Sequence, residues 1–161
     1  MNDKKLILDA CCGARMMWFD KQNPLAVYMD CRDAEYTLCD GRQLHVHPDV
    51  VADFRQMPFP DASFRLVVFD PPHLDNANPE AYMAQKYGTL QRVQWKDDLK
   101  AGFDECMRVL EPFGVLIFKW NETRVTVKRI LEIIGAKPLF GHKSGKASKT
   151  HWMCFMKLPK E

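Results

Sequence analysis

Residues 67–75 read Val-Val-Phe-Asp-Pro-Pro-His-Leu-Asp, an apolar run closed by a carboxylate, two prolines and an imidazole. Short apolar runs of β-branched and aromatic residues, bounded by turn formers, predict buried strands. The two prolines give up two backbone N–H donors and stiffen whatever follows the strand. The same ending recurs upstream. Leu6-Ile7-Leu8 stops at Asp9, Leu25 to Met29 at Asp30, Asp49 to Ala52 at Asp53, and Phe64 to Phe69 at Asp70. One strand-terminal Asp is an ordinary turn former. Four in succession define a rim, because ligands of open α/β sheets bind beyond the carboxyl ends of the strands. Such a rim suits one ligand that carries an amine, a ribose and an adenine amino group.

The remaining pattern extends this alternation of strands and helices. Arg15 to Lys21 predicts a short helix stopped by Asn23-Pro24. Between Trp95 and Leu110 the residues Leu99, Phe103, Cys106, Met107 and Leu110 fall at helical spacing, and Glu111-Pro112 ends that pattern. Val115 to Trp120 reads as a fifth strand. Val125 to Ile134 reads as a second amphipathic helix with Gly135 as its cap. Lys137 to Phe140 and His151 to Met156 read as two strands joined by a polar loop too short for a crossover helix, hence antiparallel. No repeat, low-complexity tract or linker interrupts the chain, so residues 1–161 read as one domain without a separate target-recognition domain.

Composition bounds the alternatives. An apolar share of 47% and a charged share of 27% are ordinary for a globular protein, and a formal net charge of +2 selects no partner by itself. The N-terminal residues lack a signal-peptide core and no run is long enough to span a bilayer, so a cytoplasmic protein with no membrane partner is expected. Six cysteines without a C-x-x-C pair predict reduced thiols. Cys31, Cys39, His45 and His47 fit no usual zinc-finger spacing, the two histidines read as surface residues, and no metal is expected.

The segment Leu8-Asp9-Ala10-Cys11-Cys12-Gly13-Ala14-Arg15 resembles the first motif, D-x-x-x-G-x-G, of class I S-adenosylmethionine-dependent methyltransferases. Asp30 follows Gly13 by 17 residues, about where those enzymes place an acid on the ribose. Residues 50–70 resemble the third and fourth motifs, and residues 105–118 resemble the helix, turn and strand that come next. Asp70-Pro71-Pro72-His73 is similar to the Asp-Pro-Pro-aromatic signature of the enzymes that methylate exocyclic amino groups. The resemblance implies a Rossmann-like, seven-stranded, three-layer α/β/α sheet, mostly parallel with a C-terminal antiparallel hairpin. It implies S-adenosylmethionine as cofactor, held by Asp9, Ala10, Cys11, Gly13, Asp30, Cys31, Asp53 and Phe54. It also implies Asp70, Pro71, Pro72 and His73 as the catalytic loop, with the first two accepting amine N–H bonds and the imidazole stacking on a base.

Two positions depart from that family. Arg15 stands where many members have a second glycine, within reach of the methionine carboxylate or of a nearby acid, and His73 replaces a larger ring. Lys119, Lys143 and Lys146 are candidate substrate contacts, the last two in a basic C-terminal loop that reads either as a phosphate-contacting flap or as a solvated tip. Trp120 reads as core before it reads as a stacking platform. Residues 74–93 read as a lid or as a surface excursion. The implied substrate is an exocyclic amine of DNA or RNA, adenine N6 before cytosine N4. A small molecule or protein side chain, or a non-catalytic methyltransferase-like module, are the alternatives.

Overall fold

The computed structural model describes residues 4–73, 94–145 and 147–159. Its strands are β1 (Ile7–Asp9), β2 (Ala26–Asp30), β3 (Ala34–Thr37), β4 (Gln43–Val46), β5 (Val50–Val51), β6 (Phe64–Phe69), β7 (Leu110–Asn121), β8 (Phe140–Lys143) and β9 (Thr150–Met156). The helices among these residues are α1 (Trp95–Val109) and α2 (Val127–Ile134). Seven strands form one sheet in the order β5-β2-β1-β6-β7-β9-β8, while β3 and β4 pair separately. Strands β5, β2, β1, β6 and β7 run parallel, and β9 pairs antiparallel with both β7 and β8. The expected seven-stranded architecture with its C-terminal hairpin is present. No helix among the described residues is long and apolar enough to cross a membrane.

Alternation along the strands sorts side chains between two faces. Leu8, Met29, Val67, Phe69, Leu116, Phe118 and Trp120 pack with Leu99, Phe103 and Cys106 of α1 and Ile130 and Ile134 of α2. Both helices therefore lie on one face. Ile7, Ala26 and Tyr28 belong to the other, where Cys12 and Trp18 cover them. That cover corrects one expectation: Arg15 to Lys21 forms successive turns rather than a helix. Gly13 and Arg15 both take positive φ, 48° and 54°. The amides of Arg15 and Trp18 donate to the carbonyls three residues back, those of Cys12 and Arg15. The turns win over the expected helix because they aim Trp18 and Arg15 back at the sheet.

Other boundaries move for local reasons. Strand β7 starts directly after α1, with Leu110 opposite Phe64. It then bulges at Phe113 (φ 64°) and resumes with Val115 opposite Leu66. The last hairpin pairs Phe140 with Cys154, so β8 lies three residues later than the apolar run suggested. Helix α2 ends as expected, with Gly135 at φ 68° and its amide donating to the Leu131 carbonyl. At its other end the Thr126 side chain accepts from the Arg129 amide. The β3–β4 hairpin was not foreseen, although Asp40-Gly41 is a favoured turn pair and Gln43-Leu44-His45-Val46 alternates polar with apolar residues. All six cysteines are free thiols.

Gly102 of α1 lets the helix backbone lie close to the rings of Phe54 and Phe69. A Cβ there would meet Phe54 Cδ2 at 2.5 Å and Phe69 Cζ at 2.8 Å. Those two rings already pack edge to face, with centroids 5.4 Å apart. Alanine gains up to about 1 kcal/mol of helix propensity, but overpacking a filled core costs about 1–3 kcal/mol. Gly102→Ala is therefore expected to lower the urea midpoint of unfolding; an unchanged or raised midpoint contradicts this packing.

Candidate active site

The four aspartates form a staircase along one edge of the sheet. Asp9 is opposite Tyr28 and Val68, so Asp30 and Asp70 lie two residues farther toward the carboxyl edge. Asp30 is opposite Val51, which puts Asp53 two residues farther still. Each step is about 7 Å by strand rise. Exposure follows the steps: Asp9 is 0% and Asp30 5% exposed, whereas the Asp53 side chain is 41% exposed.

Each carboxylate has partners within the chain. Asp9 Oδ2 accepts the Trp18 indole N–H at 2.7 Å and Oδ1 accepts the Cys11 amide at 3.3 Å. Burial raises the Asp9 carboxyl well above its usual range, to about 7; those two hydrogen bonds oppose the rise, and the charges of Asp70 and Asp30 add to it. Asp30 Oδ2 accepts the Gly13 amide at 2.9 Å, and Oδ1 accepts the Arg32 amide and Nε, both at 3.0 Å. Asp53 is forked by Arg55, whose Nε lies 2.9 Å from Oδ2 and whose amide donates to Oδ1 at 2.8 Å. These bonds from Arg55 hold the Asp53 carboxyl below the usual range. The same guanidinium reaches Asp98 of α1 at 2.9 Å. Asp70 Oδ2 accepts Lys119 Nζ of the neighbouring strand at 2.6 Å.

Asp9 at the end of β1, Gly13 in the loop after it, and Asp70 to His73 after β6 flank the point where strand order reverses, with β2 and β5 on one side and β7 on the other. That point is where an open α/β sheet opens a crevice for a ligand. Ala10 is buried and continues the ladder, its amide donating to the Val68 carbonyl at 2.9 Å. Cys11 is half-buried and Cys31 exposed. Phe54 packs on the core beside the Asp53 turn. Pro71 is buried, and Pro72 and His73 are half-buried.

Several expected contacts are spent inside the fold. The Arg15 guanidinium lies 3.8 Å from the centre of the Tyr28 ring. It donates to the carbonyls of Lys21 and His47 at 2.7 and 2.9 Å, and to Asp49 Oδ1 at 3.2 Å. Of its two foreseen roles, pairing with a nearby acid is the one observed. His73 lies edge-on to Trp120, at 6.0 Å between centroids and 74° between planes. Burial pushes its imidazole below the usual range, with Lys119 assisting and Asp70 opposing. Trp120 is core, 1% exposed, and its indole donates to the Val125 carbonyl at 2.8 Å. Lys143 pairs with Glu122 at 2.9 Å, as does His151. Lys146 and the segment 74–93 lie outside the described residues.

The partners that sequence reading missed, Arg32 and Arg55, had a signal. Asp30-Cys31-Arg32, Asp40-Gly41-Arg42 and Asp53-Phe54-Arg55 are three copies of Asp-x-Arg. In each the acid accepts both the amide and the guanidinium Nε of the residue two positions on. Trp18 carried no comparable signal, since its bond to Asp9 depends on the turns between them.

Neither a family model nor a curated protein sequence matches this chain. Solved structures match its fold. The N-methyltransferase NodS from Bradyrhizobium japonicum WM9 aligns with a TM-score of 0.61 at 14% identity, over 96% of this chain and 86% of that one. The same protein in complex with S-adenosyl-L-homocysteine aligns at 0.54 and 14%, over 94% and 77%. The PH0226 protein from Pyrococcus horikoshii OT3 aligns at 0.60 and 15%, over 93% and 81%. At these identities the likeness is one of fold: the chain has the Rossmann-like methyltransferase sheet.

The state of Asp9 can be checked directly. Its folded pKa of about 7 exceeds the unfolded value near 3.8, so the folded chain binds the extra proton between those limits. Its contribution to stability is then full below about pH 4 and is lost as pH rises toward 7. Asp9→Asn keeps an acceptor for the Trp18 indole. The stability difference between wild type and this variant is expected to shift in favour of the variant from pH 4 to 7 in urea titrations. A difference independent of pH refutes the raised pKa.

Proposed function

We propose that this chain is an S-adenosylmethionine-dependent methyltransferase acting on an exocyclic amino nitrogen, adenine N6 of DNA or RNA before others. The observation that carries the reading is the position of Asp70-Pro71-Pro72-His73, at the end of β6 and across the switch point from Asp9 and Gly13. The donor set fits an adenosine-bearing cation. Asp53 stays exposed enough to accept an adenine amino group despite Arg55. Asp30 acts on the cofactor loop by fixing the Gly13 amide, besides offering a carboxylate to the ribose edge. Asp9 places a deeply buried carboxyl beneath the crevice.

S-adenosylmethionine supplies, when bound, a methyl group on a sulfonium leaving group. The residues of this chain position the acceptor. An exocyclic amine is a weak nucleophile because its lone pair is delocalised into the ring. In the proposed role Asp70 Oδ1 and the Pro71 carbonyl accept the two amine N–H bonds and favour a tetrahedral nitrogen. Lys119 holds the Asp70 carboxylate by its charge-assisted bond to Oδ2. Burial favours the neutral form of the His73 ring, which suits a stacking partner that must leave Trp120 and turn toward the base. Catalysis on this scheme is positioning and electrostatics.

A second reading keeps the fold and the loop but replaces the nucleic acid with a small-molecule amine or a protein side chain. It is favoured by the pairing of Lys119 and Lys143 with Asp70 and Glu122, which occupies two cations otherwise available to phosphates.

Transfer of tritium from labelled S-adenosylmethionine to unmethylated DNA, total RNA and a deproteinised metabolite extract separates the readings. Label in nucleic acid, released as N6-methyladenine, is the expected result; label confined to small molecules rules out the first reading. Calorimetry without detectable cofactor binding at millimolar concentration rules out both. Asp70→Ala is expected to cut transfer by about 100-fold or more and to leave S-adenosylhomocysteine affinity within about threefold. If binding is lost instead, Asp70 belongs to the cofactor site.

A further inference from the structure

We infer that the β3–β4 hairpin carries a divalent transition-metal site, of the kind that takes Zn²⁺, with Glu35, His45 and His47 as ligands and Asp33 orienting His47. Among the described residues these three ligands form a group whose donor atoms all lie within 4.8 Å of one another. The topology explains why. Glu35 and His45 are direct cross-strand partners, and His47 follows His45 by two residues, so all three project from the same side of the ribbon. The two imidazoles lie nearly parallel, 29° apart, with centroids separated by 6.0 Å.

The distances suit a tetrahedral ion. Glu35 Oε1 is 3.1 Å from His45 Nδ1 and 3.3 Å from His47 Nε2. Zinc bonds of about 2.0–2.1 Å to nitrogen and oxygen give a tetrahedron with edges of roughly 3.3 Å. Two of the three edges are therefore already at ligand spacing, and rotation of exposed rings can close the third.

A second observation points the same way. His47 Nδ1 lies 2.6 Å from Asp33 Oδ1, so the ring donates that N–H to a carboxylate and presents Nε2 to Glu35. A ligating histidine is usually held in this manner, by a carboxylate on its other nitrogen. The donor set of two imidazoles and a carboxylate selects zinc-like ions over calcium or magnesium. Cys31 and Cys39, which the sequence had set beside these histidines, are exposed and stand outside the group.

The site has a structural neighbour of consequence. His45 and His47 also line an open pocket of about 570 Å³, together with Gly13 to Met16 of the loop after β1. The His47 carbonyl accepts from Arg15 of that loop. An ion that joins β3 to β4 would brace the hairpin against the loop that follows β1.

The test uses the full chain stripped with EDTA. Calorimetry with Zn²⁺ at pH 7.5 is expected to show one equivalent bound below about 10 µM. Co²⁺ is expected to give visible d–d bands without the near-ultraviolet charge-transfer band of a thiolate ligand. His45→Ala and His47→Ala should each weaken binding about 100-fold, and Asp33→Asn about tenfold with the stoichiometry kept. The Cys31→Ser/Cys39→Ser double variant should bind as wild type does. Wild-type binding weaker than 10 µM, a thiolate band with Co²⁺, or Zn²⁺ affinity unchanged by loss of both histidines overturns the site.

Discussion

Like charges at the edge of a sheet are the constraint from which the rest of this site follows. Neighbouring strand ends separated by two residues in register lie about 8 Å apart. At an effective dielectric near 20, two carboxylates at that distance repel by about 2 kcal/mol. Four in a row are sustainable only if each is answered. Three are answered by cations: Arg32 on Asp30, Arg55 on Asp53 and Lys119 on Asp70. Asp9, the deepest, takes only the neutral donors of Trp18 and Cys11. Its proton affinity rises accordingly, mainly by burial and further through the charges of its neighbours.

Those answers shape the surrounding chain. Trp18 must reach Asp9 across the face opposite the helices, so the segment after β1 folds as turns, and Arg15 stacks on Tyr28 to hold them. Arg55 links the Asp53 turn to α1 through Asp98, and Arg108 of α1 binds Asp61 and the carbonyls of Met57 and Phe59. The connection between β5 and β6 is thus tied to the helix that packs beneath it. The rim is built from both layers at once, and Asp9, Asp30 and Asp53 have both oxygens engaged, and Asp70 one, before any ligand arrives.

The β3–β4 hairpin adds a second centre of polar chemistry, separate in composition from the aspartate rim. Its outward face carries two imidazoles and two carboxylates, and its end is hydrogen-bonded to the loop that leaves β1. Bonds from the His47 and His45 rings hold the Glu35 carboxyl below its usual range, and Asp33 with Glu35 raises the His47 imidazole. The cluster and the rim share a contact through the loop from Gly13 to Arg15, where Asp30 holds one end and the His47 carbonyl the other.

What could be read from the chain by itself was periodic or covalent. Apolar runs ending in Asp located β1, β2, β5 and β6; helical spacing located α1 and α2; and Gly135 marked a helix end by its need for positive φ. Order along the chain also placed the Asp-Pro-Pro-His loop fourth in the series, because consecutive parallel strands share one carboxyl edge. Pairings between distant residues were not readable. Trp18 with Asp9, Lys119 with Asp70, His73 with Trp120 and Glu35 with two histidines each join positions whose separation encodes no distance. Register decided the depth of each aspartate, hence which one is buried and which one faces solvent. A strand's residue pattern says that it ends in a carboxylate; only its alignment with its neighbours says how far that carboxylate stands from water.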